Sequence, residues 1–182
     1  MLVEDETDLL LFPLLRATWS PRGQAAHVML SGWNAHRVVL GCMNLATGHR
    51  LFQVRRHQRS CDFQAFLLRI RQRCRGWHIT LLLDSASSHT AKTSQTTAAQ
   101  LGIQLLWLPK RAPELNPRDT LWVQGKDVIS ANKQYTNIDQ QVELFITHPT
   151  SLSNREALKT SGVLSAHFRL RRVLSKNFCG PA

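Results

Sequence analysis

Apolar residues along this chain gather first into short runs and later into stripes at helical spacing. An acidic opening, Glu4-Asp5-Glu6-Thr7-Asp8, leads into Leu9-Leu10-Leu11-Phe12-Pro13-Leu14-Leu15. Three further runs follow, Ala26–Leu30, Val38–Met43 and Leu51–Val54, separated by turn-forming Ser20-Pro21-Arg22-Gly23, Ser31-Gly32 and Ala46-Thr47-Gly48. Short strands joined by tight turns predict an antiparallel meander. From Ser60 to Gly76 the period changes: Phe63, Phe66, Leu67, Ile70 and Cys74 share one face of a helix, with Ser60 placed as N-cap and Gly76 as stop. Ile79–Leu83 then predicts a buried strand ending at Asp84, Thr90–Leu101 a helix closed by Gly102, and Ile103–Leu108 another buried strand.

Pro109 ends that strand, and Pro113 and Pro117 hold the next loop extended. Asn116 or Pro117 is expected to open a helix carrying Asp119 in its first turn and Trp122 beyond it. Ile138, Val142, Phe145 and Ile146 form one more helical face, which Pro149 is expected to break, and Ser153-Asn154-Arg155-Glu156 reads as a helix start. Antiparallel strands first and βα units afterwards predict an α/β chain with a mixed sheet and helices on both faces.

Composition turns this outline toward a polyanionic partner. The 182 residues suit one domain with a real core, and 43% hydrophobic against 19% charged residues argues for a globular chain. Lys and Arg number 23 against 12 acids, a net charge of +11, which favours phosphate through counterion release. Arg55, Arg56, Arg59, Arg69, Arg71, Arg73 and Arg75 cluster within one helix and its approach, either to grip a phosphate backbone or as a solvated face. His167, Arg169, Arg171, Arg172 and Lys176 form a basic end, a DNA-binding arm or a solubilising tail. Trp19 and Trp33 are expected in the core or at its rim, with base stacking as the alternative. Cys42, Cys61, Cys74 and Cys179 show no CxxC pair, which suggests free thiols in a reducing cytosol. The Leu9–Leu15 run is too short to span a bilayer.

The most specific signal lies between Leu81 and Trp122. Leu82-Leu83-Asp84 with His89 downstream, then Leu108-Pro109, Ala112-Pro113-Glu114-Leu115-Asn116-Pro117 and Asp119 before Trp122, resembles the catalytic core of IS630/Tc1/mariner transposases of the DDE/D superfamily. The 34 residues between Asp84 and Asp119 fit that group's spacing. The resemblance covers about Asp5 to Ile146 and implies an RNase H-like fold over residues 1–150 with a clipped first strand. A basic helical extension would follow over residues 151–182. It also implies that Asp5-Glu6 is the family's first acidic pair, the alternative being a solvated acidic terminus.

Such a resemblance implies Mg²⁺- or Mn²⁺-dependent cleavage and transfer of DNA strands, with Asp5, Asp84 and Asp119 as catalytic residues and ligands to two ions. Carboxylates are the ligands such hard cations prefer, and two ions serve both ends of an in-line phosphoryl displacement. Asp5 and Asp84 would share one ion, with Asp84 or Asp119 on the other. Glu114 is a rival third ligand, and related sequences more often carry Glu where Asp119 stands. His89, Asn116 and Glu6 are candidates to support the ligands. Arg55, Arg56, Arg59, Arg69, Arg71, Arg73, Lys110 and Arg111 are the candidate DNA contacts. The implied partners are transposon ends, target DNA, further copies of the chain and a separately encoded helix-turn-helix polypeptide. A cytoplasmic, nucleoid-associated location without membrane contact completes the expectation. Two rivals share the fold: a non-catalytic DNA-binding remnant, and a structure-selective nuclease without strand transfer.

Overall fold

The computed structural model describes residues 1–30, 32–109, 115–168 and 170. Five strands, β1 (Leu2–Leu10), β2 (His36–Asn44), β3 (Arg50–Arg55), β4 (Ile79–Leu83) and β5 (Ile103–Trp107), form one sheet in the order β3-β2-β1-β4-β5. β1 pairs antiparallel with β2 along all nine of its residues, and β2 continues antiparallel into β3. β4 joins the other side of β1 in parallel, and β5 adds parallel to β4. The sheet is mixed, with the meander first and the βα units after, as the pattern predicts.

Alternation along β1 decides what each face of the sheet receives. Leu2 points into a core built with Val38, Leu40 and Cys42 and sealed by α1 (Ser60–Arg73). The apolar stripe of α1, Phe63, Phe66, Leu67 and Ile70, is wholly buried there. Each such side chain contributes about 1.5–3 kcal/mol by leaving water. Leu9, one register out of phase, points to the opposite face, where Val39, Trp122 of α4 (Asp119–Ile129) and Ile138, Val142 and Phe145 of α5 (Ile138–Ser151) pack. The Trp122 and Phe145 rings stack with centroids 5.8 Å apart. Helices therefore cover both faces. A final short helix, α6 (Asn154–Thr160), opens on the expected Ser153/Glu156 capping box and buries Ala157 in the cluster that holds Val3 and Leu82.

Several local expectations are corrected. Ala26–Leu30 is not a strand: Met29 and Leu30 are exposed, and no neighbouring strand supplies backbone partners for them among the described residues. The antiparallel trio is completed instead by β1, whose acidic residues the hydropathy pattern discounts. Trp19 and Trp33 are not core residues, being 101% and 81% exposed. The helix expected over Thr90–Leu101 divides at Ala91, whose extended backbone separates α2 (Ser87–Thr90) from α3 (Lys92–Gln100). Arg59 rather than Ser60 is the N-cap of α1, and that helix ends at Arg73. α4 starts at Asp119, later than Asn116 or Pro117. Pro149 does not break α5 but lies within its last turn, where it leaves the Phe145 carbonyl without its i+4 amide and only two residues of helix follow. Cys42, Cys61 and Cys74 are free thiols, while Cys179 lies outside the described residues. Among the described residues no helix is long and apolar enough to cross a membrane.

Phe145 touches both α4 and the sheet, so its truncation tests the second core. Phe145→Ala is expected to lower unfolding free energy by about 3–5 kcal/mol, read as a shifted urea midpoint with an unchanged slope.

Candidate catalytic site

Parallel pairing of β1 with β4 matches Leu2 to Leu81 and Val3 to Leu82 and goes no further. Two residues beyond the last pair, at equal register, stand Asp5 and Asp84. Both continue the parity of Val3 and Leu82, which face α4 and α6. The third aspartate arrives from that side. Asn116 shapes the turn before α4: its side-chain oxygen accepts from the Arg118 amide at 3.1 Å, and its carbonyl accepts from the Asp119 amide at 3.3 Å. Asp119 is thus the first residue of α4, where the helix dipole favours a negative side chain. An open recess of about 350 Å³ beside it is lined by Asn116, Asp119, Thr120 and Ser161.

The three aspartates are close enough to feel one another. Burial, then the charge of Glu6, with Asp84 and Asp119 adding, raises the Asp5 carboxyl to about 7, although Arg118 opposes the rise. Asp84 moves the other way. A hydrogen bond from His89 holds it below the ordinary range despite partial burial, and the Ala86 amide helps. Both donors engage the same oxygen: His89 Nδ1 and the Ala86 amide each lie 2.9 Å from Asp84 Oδ1.

His89 is the hub of a buried ion network. It has no solvent exposure and its ring lies against Phe63 at 4.4 Å. While Nδ1 meets Asp84, Nε2 lies 2.7 Å from Glu6 Oε1 and 3.4 Å from Glu4 Oε2. Burial alone would push this imidazole down. The hydrogen bonds to Asp84 and Glu6 and the charge of Glu4 outweigh it and raise it to about 11, so both nitrogens carry protons at neutral pH. Glu4 has no solvent exposure, and burial with the adjacent Glu6 pushes its carboxyl well above the usual range. The Glu4–Glu6 segment is therefore no solvated acidic terminus.

Two participants are absent from the sequence reading. Glu4 shares the parity of Leu2 and Glu6 on β1, so strand alternation alone would place it in the α1 core beside His89. Arg118 is fully buried and stacks over Trp122 at 4.3 Å and Phe52 at 5.2 Å. Its position four residues before Trp122 is the helical spacing that could have found it. Room for the guanidinium comes from Gly41, the cross-strand partner of Asp5. A Cβ on Gly41 would meet Arg118 and lie 2.8 Å from Trp122. Burial lowers the Arg118 pKa to about 10, so it remains charged.

The arginines separate into two groups. Arg71 is turned inward: Nε donates to Leu101 O at 2.8 Å, and Nη1 and Nη2 donate to Trp77 O and Gly102 O at 2.9 Å each. That guanidinium pins α1 to the end of α3. Arg55, Arg56 and Arg59 instead line a recess of about 360 Å³ with Arg37 and His57, and Arg69 and Arg73 are exposed on α1. Lys110, Arg111, Glu114, Arg169, Arg171, Arg172 and Lys176 lie outside the described residues.

A mixed five-stranded sheet in the order β3-β2-β1-β4-β5, covered by helices on both faces, is an RNase H-like fold. The family model described as DDE superfamily endonuclease matches residues 1–141, and the chain belongs to that family, on its IS630/Tc1/mariner side. It is 27% identical over 139 residues to the insertion element IS630 uncharacterized 39 kDa protein of Shigella sonnei, covering 75% of this chain and 40% of that protein. It is similar in fold to the mariner Mos1 paired-end complex with Mg, at TM-score 0.72 and 16% identity over 93% of this chain and 53% of that one. The Mos1 mariner transposase catalytic domain matches at TM-score 0.61 and 13% identity, over 90% and 76% of the two chains. The chain spans about 40% of the length of the IS630 relative and about half of the Mos1 chain in the paired-end complex.

The ionisation pattern fixes the sign of a pH response. Asp5 binds its proton more tightly folded than unfolded, so stability falls as pH rises from about 4 to about 7. His89 contributes stability that is complete below its unfolded value and is lost as pH rises toward about 11. The melting temperature of the metal-free chain is therefore expected to drop between pH 5 and pH 8. Asp5→Asn is expected to flatten the part below pH 7, measured by thermal denaturation across buffers.

Proposed function

We propose that this chain carries out metal-dependent DNA strand cleavage and transfer of the transposase type, with Asp5, Asp84 and Asp119 as its ligands. What supports this reading is that Asp5 and Asp84 stand two residues beyond the last β1–β4 pair, and that burial, then Glu6, with smaller contributions from Asp84 and Asp119, raises Asp5. A divalent cation relieves the repulsion among these carboxylates, and an all-carboxylate donor set suits Mg²⁺ or Mn²⁺. Two such ions, when bound, supply activation of the attacking oxygen and neutralisation of the leaving oxygen in an in-line displacement.

The chain's own residues do the rest. His89 fixes Asp84 by holding Oδ1, so that this carboxylate does not have to be ordered when the ligands assemble. Asn116 sets the turn that delivers Asp119. Arg118 supplies fixed positive charge beneath Asp5, which keeps the acid cluster tolerable before any cation binds. Arg55, Arg56, Arg59, Arg69 and Arg73 are proposed to contact phosphates, with the recess beside Arg37 as one landing site. Arg71 contributes by bracing α1 rather than by touching DNA. The proposed substrates are transposon ends and target DNA, recognised together with further copies of the chain and a helix-turn-helix polypeptide in a nucleoid-associated, cytoplasmic setting.

Nicking and strand-transfer assays on duplexes bearing the element's ends test this function. The wild-type chain, supplemented with a helix-turn-helix partner where one is encoded, is expected to nick in Mg²⁺ or Mn²⁺ and to join the cut end to target DNA. Asp84→Asn and Asp119→Asn are each expected to reduce nicking to background while leaving DNA binding and its steep salt dependence intact. Nicking without joining would mark a structure-selective nuclease, and binding without nicking in the wild type would mark a non-catalytic scaffold.

A further inference from the structure

The geometry points to a second cation site on the other face of β1, formed by Glu4, Glu6 and His89 and selective for a divalent transition ion such as Mn²⁺ or Zn²⁺. Among the described residues this is the trio whose ligating atoms all fall within 4.8 Å of one another. Asp5, by contrast, stands on the opposite parity of β1. His89 Nε2 lies 3.4 Å from Glu4 Oε2, near the edge of roughly 3.4 Å that bonds of about 2.1 Å give around a tetrahedral ion, and 2.7 Å from Glu6 Oε1, so an ion replacing the Nε2 proton would need Glu6 to move outward.

Two further observations point to a ligand rather than to an acidic cluster alone. Glu4 is completely buried and neither of its carboxylate oxygens accepts a hydrogen bond; the nearest cation, His89 Nε2 at 3.4 Å, is engaged with Glu6 Oε1 at 2.7 Å instead. A carboxylate so enclosed is costly unless a cation meets it. The other ring nitrogen of His89 is already bonded to a carboxylate, Asp84 Oδ1 at 2.9 Å. Carboxylate–histidine pairing of this kind orients metal-ligating imidazoles and raises their basicity. Two glutamates and a neutral imidazole balance the charge of one divalent ion, so binding releases the Nε2 proton. The imidazole ligand favours Mn²⁺ or Zn²⁺ over Mg²⁺. Gln58, which donates to Glu6 Oε1 at 2.8 Å from the solvent side, covers the approach.

Because His89 bonds Asp84, an ion here would set the orientation of a catalytic ligand from behind. The inference does not depend on strand-transfer activity. Its test is electron spin-echo spectroscopy of the full, metal-stripped chain loaded with one equivalent of Mn²⁺. Nitrogen-14 modulation from a bound imidazole is expected in the wild type, since the three aspartates offer only oxygen. The modulation is expected to persist in Asp5→Asn/Asp119→Asn and to vanish in Glu4→Gln and His89→Gln, with folding checked by circular dichroism. Absence of nitrogen coupling in the wild type, or coupling that survives His89→Gln, overturns the site. Loss of nicking in the double aspartate variant with retained coupling separates this proposal from the catalytic one.

Discussion

Everything at this site depends on where the parallel pairing of β1 with β4 stops. Only Leu2 and Val3 are paired with Leu81 and Leu82, so beyond them β1 and β4 diverge and a cleft opens between the two strands. Open α/β sheets place their sites at such strand ends because the loops that follow can converge there. Here the residues that emerge are acids. β2 holds β1 in place along its whole length on the other side, so the acidic segment is fixed by sheet hydrogen bonds rather than by its own favourable burial.

That fixing has an electrostatic cost, and the surroundings of β1 offset it on both faces. Toward α1, a protonated His89 stands between Glu4, Glu6 and Asp84. Toward α4, Arg118 lies over the bare backbone of Gly41 beside Asp5, its guanidinium against Trp122 and Phe52. Cation–π contact and nearby carboxylates are what make such a burial tolerable. The two buried cations let one strand carry acids on both faces. They also leave Asp5 and Asp84 in different states, one inclined to keep its proton and one firmly ionised.

Much of the fold is legible in the sequence because it rests on period. The α1 stripe of Phe63, Phe66, Leu67 and Ile70 and the continuous runs of β4 and β5 identify themselves without tertiary help. β1 does not, because its buried positions alternate between Leu, Val and Glu, and a hydropathy scale reads Glu4 as surface. Ala26–Leu30 misleads for the converse reason: apolar residues in a segment with no strand to pair against remain exposed. At the site, Asp84 and Asp119 are visible through spacing and the surrounding prolines. Arg118 and Glu4 are hidden because charge at a buried position has meaning only once its partners from β2 and α2 are in place. Arg71 shows the same limit: a basic stripe on a helix does not reveal which guanidinium turns inward to cap backbone carbonyls.

The most direct test is a crystal structure of the chain grown with Mn²⁺ and measured at the manganese absorption edge. Anomalous density is expected between Asp5, Asp84 and Asp119 on the α4 face of β1, with carboxylate oxygens at bonding distance and Asp84 Oδ1 still held by His89. A well-ordered map with those three side chains in place and no manganese among them would contradict the assignment of this strand end as the catalytic centre.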